Sequence, residues 1–264
     1  MTICVSVKVR DGLVLTTDSM SQIQTADPTT GAVQVIKAYS NARKLFQLGT
    51  LPVASMSWGL GNIGNRSIQS FMLEFERTRI GNTRTVTDLS RELCAMMRTN
   101  YDIAFNAVAP DQQPVLGFLV AGYAPNAVFA EEWEFEFPND QLPRLVRAAD
   151  QFGAAWRGIW FPFFRTFFGM DPRLRANLLT EGVTQTVIDK ATSGLQMNVV
   201  FDGMPVQDAV NFAQFIAQTT IGAATFDAGA PTCGGPLQVA TILPDVGLEW
   251  MAKPKIGLYS PAAV

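Results

Sequence analysis

Histidine is absent from all 264 residues of the chain. That absence excludes Ser-His-Asp and Cys-His catalysis and every metal site built on imidazole. A hydrolase with this sequence must draw its general base from a carboxylate, a lysine or an α-amino group. Cysteine is scarce. Cys4, Cys94 and Cys233 are far apart, odd in number and without Cys-x-x-Cys spacing, so neither a disulfide framework nor a zinc site is expected, and no other metal or cofactor is implied. Charge is low as well. Charged residues make up 16% of the chain and the net charge is −3, which favours neither nucleic acid nor an anionic membrane as partner. No apolar run reaches the ~18 residues of a membrane span. A long uncharged stretch, Pro114 to Ala130, is broken by Gly122, Pro125 and Asn126 and reads as two strands with a turn. Lys8, Arg10 and Asp11 interrupt the first apolar run too early for a secretory signal, so a cytoplasmic location is expected.

What is present suits one domain spanning 1–264. Hydrophobic residues make up 48%, enough to fill a large core, and the low charge suggests a surface partly covered by other subunits. Ile3–Val9 and Leu13–Thr17 read as strands around an Asp11-Gly12 hairpin signal. Ser19–Ser40 reads as a loop or long irregular hairpin, with Asp27-Pro28 and Thr30-Gly31 as turn signals. Lys44–Leu48 and Pro52–Trp58 read as two further strands, and Gly59–Gly64 as a glycine-rich turn. Two helices follow. One carries the stripe Ile68, Phe71, Met72 and Phe75; the other carries Leu89, Leu93, Met96, Met97, Ile103 and Ala107, with Thr87 as N-cap. Gly81-Asn82 breaks the link between them. Val115–Ala121 and Ala127–Phe137 form a hairpin whose second strand sets Trp133, Phe135 and Phe137 on a buried face and Glu132, Glu134 and Glu136 on a wet one. Asp171-Pro172 and Pro205 open later helices, and Pro236–Leu243 with Gly247–Met251 closes the chain as a hairpin. Strands, helices, strands, helices, strands: the simplest packing is a sandwich of mostly antiparallel sheets with helices on both outer faces, an α+β fold. The aromatic segment Trp156–Phe168 reads as core filling or, more sharply, as a subunit contact.

Three residues combine into chemistry. If Met1 is removed, Thr2 carries a nucleophilic hydroxyl and, on the same residue, an α-amine of pKa about 7.7–8.0 that takes its proton. A second-position threonine is common and ordinarily has no role; Asp18 would ordinarily be a turn residue and Lys44 a solvated edge residue. Their arrangement alters the weighing. The Asp11-Gly12 hairpin places Thr2 and Asp18 at one end, and a third strand alongside brings Lys44 there. A lysine held by an aspartate stays charged and favours the deprotonated hydroxyl of Thr2. Gly59 can offer an open backbone N–H to an oxyanion. Cys4 reads as a small buried hydrophobe.

Thr2-Ile3-Cys4-Val5, Arg10-Asp11-Gly12-Leu13-Val14-Leu15 and Asp18 resemble the start of a mature proteasome β subunit. Asn41-Ala42-Arg43-Lys44-Leu45-Phe46 looks like that family's segment around its catalytic lysine, Trp58-Gly59-Leu60 like its oxyanion segment, and Cys233-Gly234-Gly235-Pro236 like its Ser-Gly-Gly motif. The best fit is a bacterial proteasome-related branch, such as Anbu or the betaproteobacterial proteasome homologue. The resemblance implies a four-layer αββα sandwich of the N-terminal-nucleophile hydrolase (Ntn) type, assembled as a homo-oligomeric ring and cleaving unfolded polypeptides or peptides. It makes Thr2 the nucleophile, Lys44 the group that lowers its pKa, Asp18 the residue that orients Lys44, and Gly59 the oxyanion donor. Ala42, Ser57 and Gly61 fall where the family lines its specificity pocket; all are small, which suggests a roomy pocket for large apolar side chains. Cys233 stands where the family has a serine near the amine. Ala230 replaces an aspartate that only Asp227 could supply, no serine matches the family's other supporting one around Gly153, and the Ser19–Ser40 segment is longer than usual. Two other functions compete with a threonine peptidase: an amide hydrolase acting on a small molecule, and a ring-forming structural or binding protein with a degraded site.

Overall fold

The computed structural model describes residues 2–27, 33–81, 84–254 and 256. β1 (Ile3–Val9) and β2 (Gly12–Thr17) pair antiparallel, with Cys4 opposite Thr17 and Val9 opposite Gly12. The two-residue turn is therefore Arg10-Asp11, one step earlier than the Asp-Gly signal implies, and Gly12 already belongs to the ladder. β3 (Ser21–Ala26) and β4 (Val33–Tyr39) form a separate two-stranded ribbon, resolving the Ser19–Ser40 segment as a hairpin. The turn signals at Pro28, Thr30-Gly31 and Asn82 lie outside the described residues. β5 (Leu45–Gln47) and β6 (Val53–Gly59) follow, then the short β7 (Asn62–Ile63) inside the expected glycine-rich turn and its partner β8 (Arg66–Ser67) just beyond it.

Two helices come next, α1 (Ile68–Arg79) and α2 (Val86–Phe105). α1 buries the four residues of its expected stripe. α2 departs from expectation at both ends. Its N-cap is Thr85 rather than Thr87, because the Thr85 hydroxyl accepts from Asp88 N at 3.1 Å while the Asp88 carboxylate accepts from Thr85 N, a reciprocal box that Thr87 has no partner to make. Its buried face runs from Val86 through Leu89, Leu93 and Met97 to Tyr101, whose hydroxyl donates to Pro114 O at 2.7 Å; Ile103 is exposed and Ala107 lies beyond the helix.

The rest of the chain supplies β9 (Leu116–Gly122), β10 (Glu131–Phe137), β11 (Arg144–Leu145), β12 (Gly153–Gly158), α3 (Phe161–Phe168), α4 (Pro172–Thr180), α5 (Gln185–Thr192), α6 (Val206–Phe226), β13 (Gln238–Leu243) and β14 (Gly247–Ala252). The strands join into two five-stranded sheets, ordered β12-β1-β2-β13-β14 and β11-β10-β9-β6-β5. All pairings among the described residues are antiparallel. The molecule is thus a mixed helix-and-sheet protein with several sheets.

Three apolar clusters hold it together. One joins α1 and α2 to the second sheet through Phe71, Phe75, Leu93, Met97, Phe118 and Phe135. Another joins α3 and α6 to the first sheet through Val5, Val7, Phe163, Ala213 and Ile216. The last, with Cys4, Leu15, Leu45, Met56, Leu119 and Ala240, draws on strands of both sheets. The first sheet is covered on both faces by these clusters, which is why β1 and β2 are buried at every position, their polar Ser6, Lys8, Thr16 and Thr17 included.

β10 corrects the expectation of a wet glutamate face. Phe135 and Phe137 are buried as expected and Trp133 partly so, but Glu132 and Glu134 are also buried. Arg147 Nε lies 3.1 Å from Glu132, and Arg157 Nε 2.7 Å from Glu134, so arginines reaching in from the β12 side neutralise them. Glu136 accepts from the Trp58 indole at 2.7 Å. The aromatic segment divides. Phe163 and Phe167 fill the α3–α6 cluster, whereas Trp160 and Phe161 keep 41% and 40% of their surface exposed.

Candidate active site

Thr2 directly precedes β1, between β12 and β2, and is buried. Its carbonyl accepts from Ile159 N at 2.8 Å. The approach of β12 is close enough to require glycine: Gly158 has φ +79°, and a Cβ there would lie 2.0 Å from Thr2 O. The hairpin register then sets Asp18, the residue after β2, beside Thr2, with Asp18 N donating to Ile3 O at 3.2 Å.

The Asp18 carboxylate is fully buried and accepts from four donors. Oδ1 takes Ile3 N at 3.2 Å and Lys44 Nζ at 2.8 Å; Oδ2 takes Met20 N at 3.2 Å and Gly234 N at 3.0 Å. That matches the roughly four acceptor positions a carboxylate offers. Lys44 is buried too, so the two make an ion pair inside the protein. Such a pair adds little net stability over an apolar substitute, but removing one member strands the other at a cost of about 3–5 kcal/mol.

Gln238, at the start of β13, fixes where Lys44 sits. Its Oε1 accepts from Lys44 N at 3.1 Å and Leu45 N at 3.2 Å, and its Nε2 donates to Ala42 O at 2.8 Å. Ser19 N donates to Gly234 O, and Ala42 N to Ser19 O at 2.8 Å. The segment before β5 is thereby strapped to the end of β2. Ser57 N donates to Lys44 O at 3.0 Å, and Cys4 Sγ lies 3.4 Å from Ser57 O, tying β1 to β6 under the site.

Thr2, Lys44 and Gly59 line a single cavity of about 560 Å³, together with Ala42, Ser57 and Gly61. Six of the residues singled out in the sequence therefore share one wall, with Asp18 behind it. Gly59 ends β6 with φ +87°, and a Cβ there would meet Val115 O at 2.1 Å, so only glycine fits. Ala42, Ser57 and Gly61 are small, as expected. The same wall also carries Ser21, Gln22, Gln24, Asn62 and Arg43, so small size does not make the pocket an apolar one. Larger hollows lie along β12 and α3, about 780 Å³, and near Arg10 and Asp245, about 850 Å³; neither includes Thr2, Lys44 or Asp18.

Cys233 is not part of the cavity wall. It is buried in the apolar cluster with α6, and burial pushes its thiol up to about 12. Cys4 is likewise buried, its thiol also raised to about 12 by burial. Asp227 caps the C-terminus of α6 and is exposed, and its carboxylate accepts from Ala228 N at 2.9 Å; Ala230 is exposed and Gly153 pairs with Lys8. Met1 lies outside the described residues. Among the described residues no group of three or more His, Cys, Asp or Glu side chains is placed to hold a metal ion, and no helix is long and apolar enough to cross a membrane. Gln238 and Gly158 carry no signal in the sequence, since a lone glutamine opening a strand or a glycine closing one has no periodic or motif signature, whereas Gly234 belongs to the Cys233-Gly234-Gly235-Pro236 segment.

Compared with known proteins, the chain matches no family model and no curated protein.

Proposed function

We propose that the chain is an N-terminal-nucleophile amide hydrolase of the proteasome β-subunit kind, working through Thr2 once residue 1 has been removed. The observation that carries this reading is the shared cavity of Thr2, Lys44 and Gly59, with Lys44 Nζ held 2.8 Å from buried Asp18. The freed α-amine takes the Thr2 hydroxyl proton as Oγ1 attacks the substrate carbonyl. Gly59 N–H receives the oxyanion, and Lys44 stabilises the developing negative charge beside Thr2. Collapse breaks the C–N bond, and the leaving amine takes the proton back from the α-ammonium. Water, deprotonated by the same amine, then attacks the Thr2 ester and releases the acid.

The accompanying fold reading is a four-layer αββα sandwich. It is supported by the three clusters, one under each set of helices and one drawing on both sheets. A homo-oligomeric ring acting on peptides or unfolded polypeptides in the cytoplasm belongs to the same reading. Its support is the low charge of the chain together with the exposed Trp160 and Phe161. The alternative of a ring-forming protein with a degraded site draws on Cys233, sequestered among apolar side chains where the resemblance calls for a serine. Thr2→Ala decides between them: turnover of amide substrates should vanish while the assembly, measured by light scattering, persists. Equal turnover in wild type and variant would remove the hydrolase reading.

A further inference from the structure

The cavity holding Thr2 has a second cation in its wall. Arg43 is half-buried, its Nε donates to Leu45 O at 3.2 Å, and its guanidinium lies 5.3 Å from the centre of the Phe46 ring. The side chain is thus held in place. Among the described residues no carboxylate lies within ion-pair distance of it. That sets it apart: Arg66, Arg84, Arg98, Arg147, Arg157 and Arg175, the other partly buried arginines, each have a carboxylate partner. Glu76, whose charge acts on Arg43 through space, is exposed on α1 and beyond that distance. Burial lowers the pKa of Arg43, the direction expected of a cation with no close counter-charge. The other charged side chain of the wall, Lys44, is held by Asp18, and no carboxylate lines the cavity among the described residues.

Arg43 lines the cavity, and its held, half-buried guanidinium has no carboxylate partner among the described residues, so an anion bound in the cavity would supply the missing counter-charge. We propose that the substrate's acyl part carries a carboxylate that seats on Arg43, so that the site takes amides of acidic residues in preference to neutral ones. This rests on the hydrolase reading for the chemistry, while the anion preference itself requires only binding.

The test measures binding by calorimetry on the full chain carrying Thr2→Ala, with N-acetylglutamic acid α-amide and its neutral isostere N-acetylglutamine α-amide as probes. The acidic probe should bind about 10- to 100-fold more tightly, the range of a hydrogen bond to a charged group. The preference should vanish when Arg43→Met is added, which keeps an unbranched chain over Phe46; Arg43→Gln serves if that variant does not fold. Equal affinities in the Arg43 protein, including no measurable binding of either probe, overturn the proposal. So does a preference that survives loss of the guanidinium. Failure of the Thr2 protein to turn over either probe, with the binding preference intact, would count against the hydrolase reading alone.

Discussion

Gly158→Ala tests how the fold sets the nucleophile without touching any reacting atom. Gly158 pairs with Ile3, and the added methyl would lie 2.0 Å from Thr2 O and 3.0 Å from Thr2 C, at a φ of +79°. The positive φ alone costs alanine about 1–2 kcal/mol. The clash adds more, because both atoms it meets are backbone and neither strand is free to move. The first sheet is buried through β1 and β2, and Thr2 O already accepts from Ile159 N. Ordinary contact is restored only if Thr2 withdraws by roughly 1 Å, and a displacement of that size at a reacting group costs on the order of 10²-fold in rate. The expected outcome is a loss of about 2–4 kcal/mol in urea denaturation and about a 100-fold fall in the rate at which a threonine-directed electrophile labels Thr2. Gly182→Ala is the control. Gly182 has φ +82° but nothing within 4 Å of the added atom, so it should lose about 1 kcal/mol and label normally. Normal labelling in Gly158→Ala, or an equal loss in Gly182→Ala, would refute the reasoning.

Lys44→Met should lower amide turnover by on the order of 10²–10⁴-fold and cost about 3–5 kcal/mol, because buried Asp18 loses its counter-charge; adding Asp18→Asn should recover part of that stability in a double-mutant cycle. Gln238→Leu should cost about 2–4 kcal/mol by urea titration, since Lys44 N, Leu45 N and Ala42 O lose their partner together. The buried thiols give a pH dependence. Cys4 and Cys233 are raised from an ordinary 9.0 to about 12, so in the folded chain they keep protons that the unfolded chain releases. Stability should therefore fall as pH rises from about 9 towards 12, by about 1.4 kcal/mol per pH unit for each thiol. Iodoacetamide at pH 8 should leave both unmodified until the protein is unfolded; rapid modification of the native chain would contradict their burial.

The parts of the site that were legible in the sequence are those whose signals are local. β-branched residues on either side of Asp11-Gly12 imply a hairpin, and a hairpin of that length necessarily sets Thr2 beside Asp18. Lys44 arrives by another route than the strand pattern implies: β5 begins at Leu45 and pairs with β6 in the second sheet rather than alongside the hairpin, and Gln238 and Asp18 hold Lys44 from the first sheet's side. The features that escape depend on distant partners. Glu132 and Glu134 alternate with aromatics as a wet face would, and only the arrival of Arg147 from the segment after β11 and Arg157 from the other sheet turns that face inward. Thr85 and Thr87 both precede an apolar run, and the N-cap is decided by the carboxylate of Asp88, three residues after Thr85. Ile103 continues the stripe arithmetically, but α2 curls its buried face to Tyr101, whose hydroxyl has a carbonyl to reach. Arg43 looks like an ordinary neighbour of a lysine until the structure places it on the cavity wall with no carboxylate partner among the described residues.

The central claim is that residue 2 is the nucleophile, and mass spectrometry of the purified chain after reaction with a threonine-directed electrophile addresses it most directly. The account predicts a chain shortened by Met1, carrying one adduct that maps to Thr2 and disappears in Lys44→Met. A chain that retains Met1, or an adduct found only on a cysteine, would contradict it.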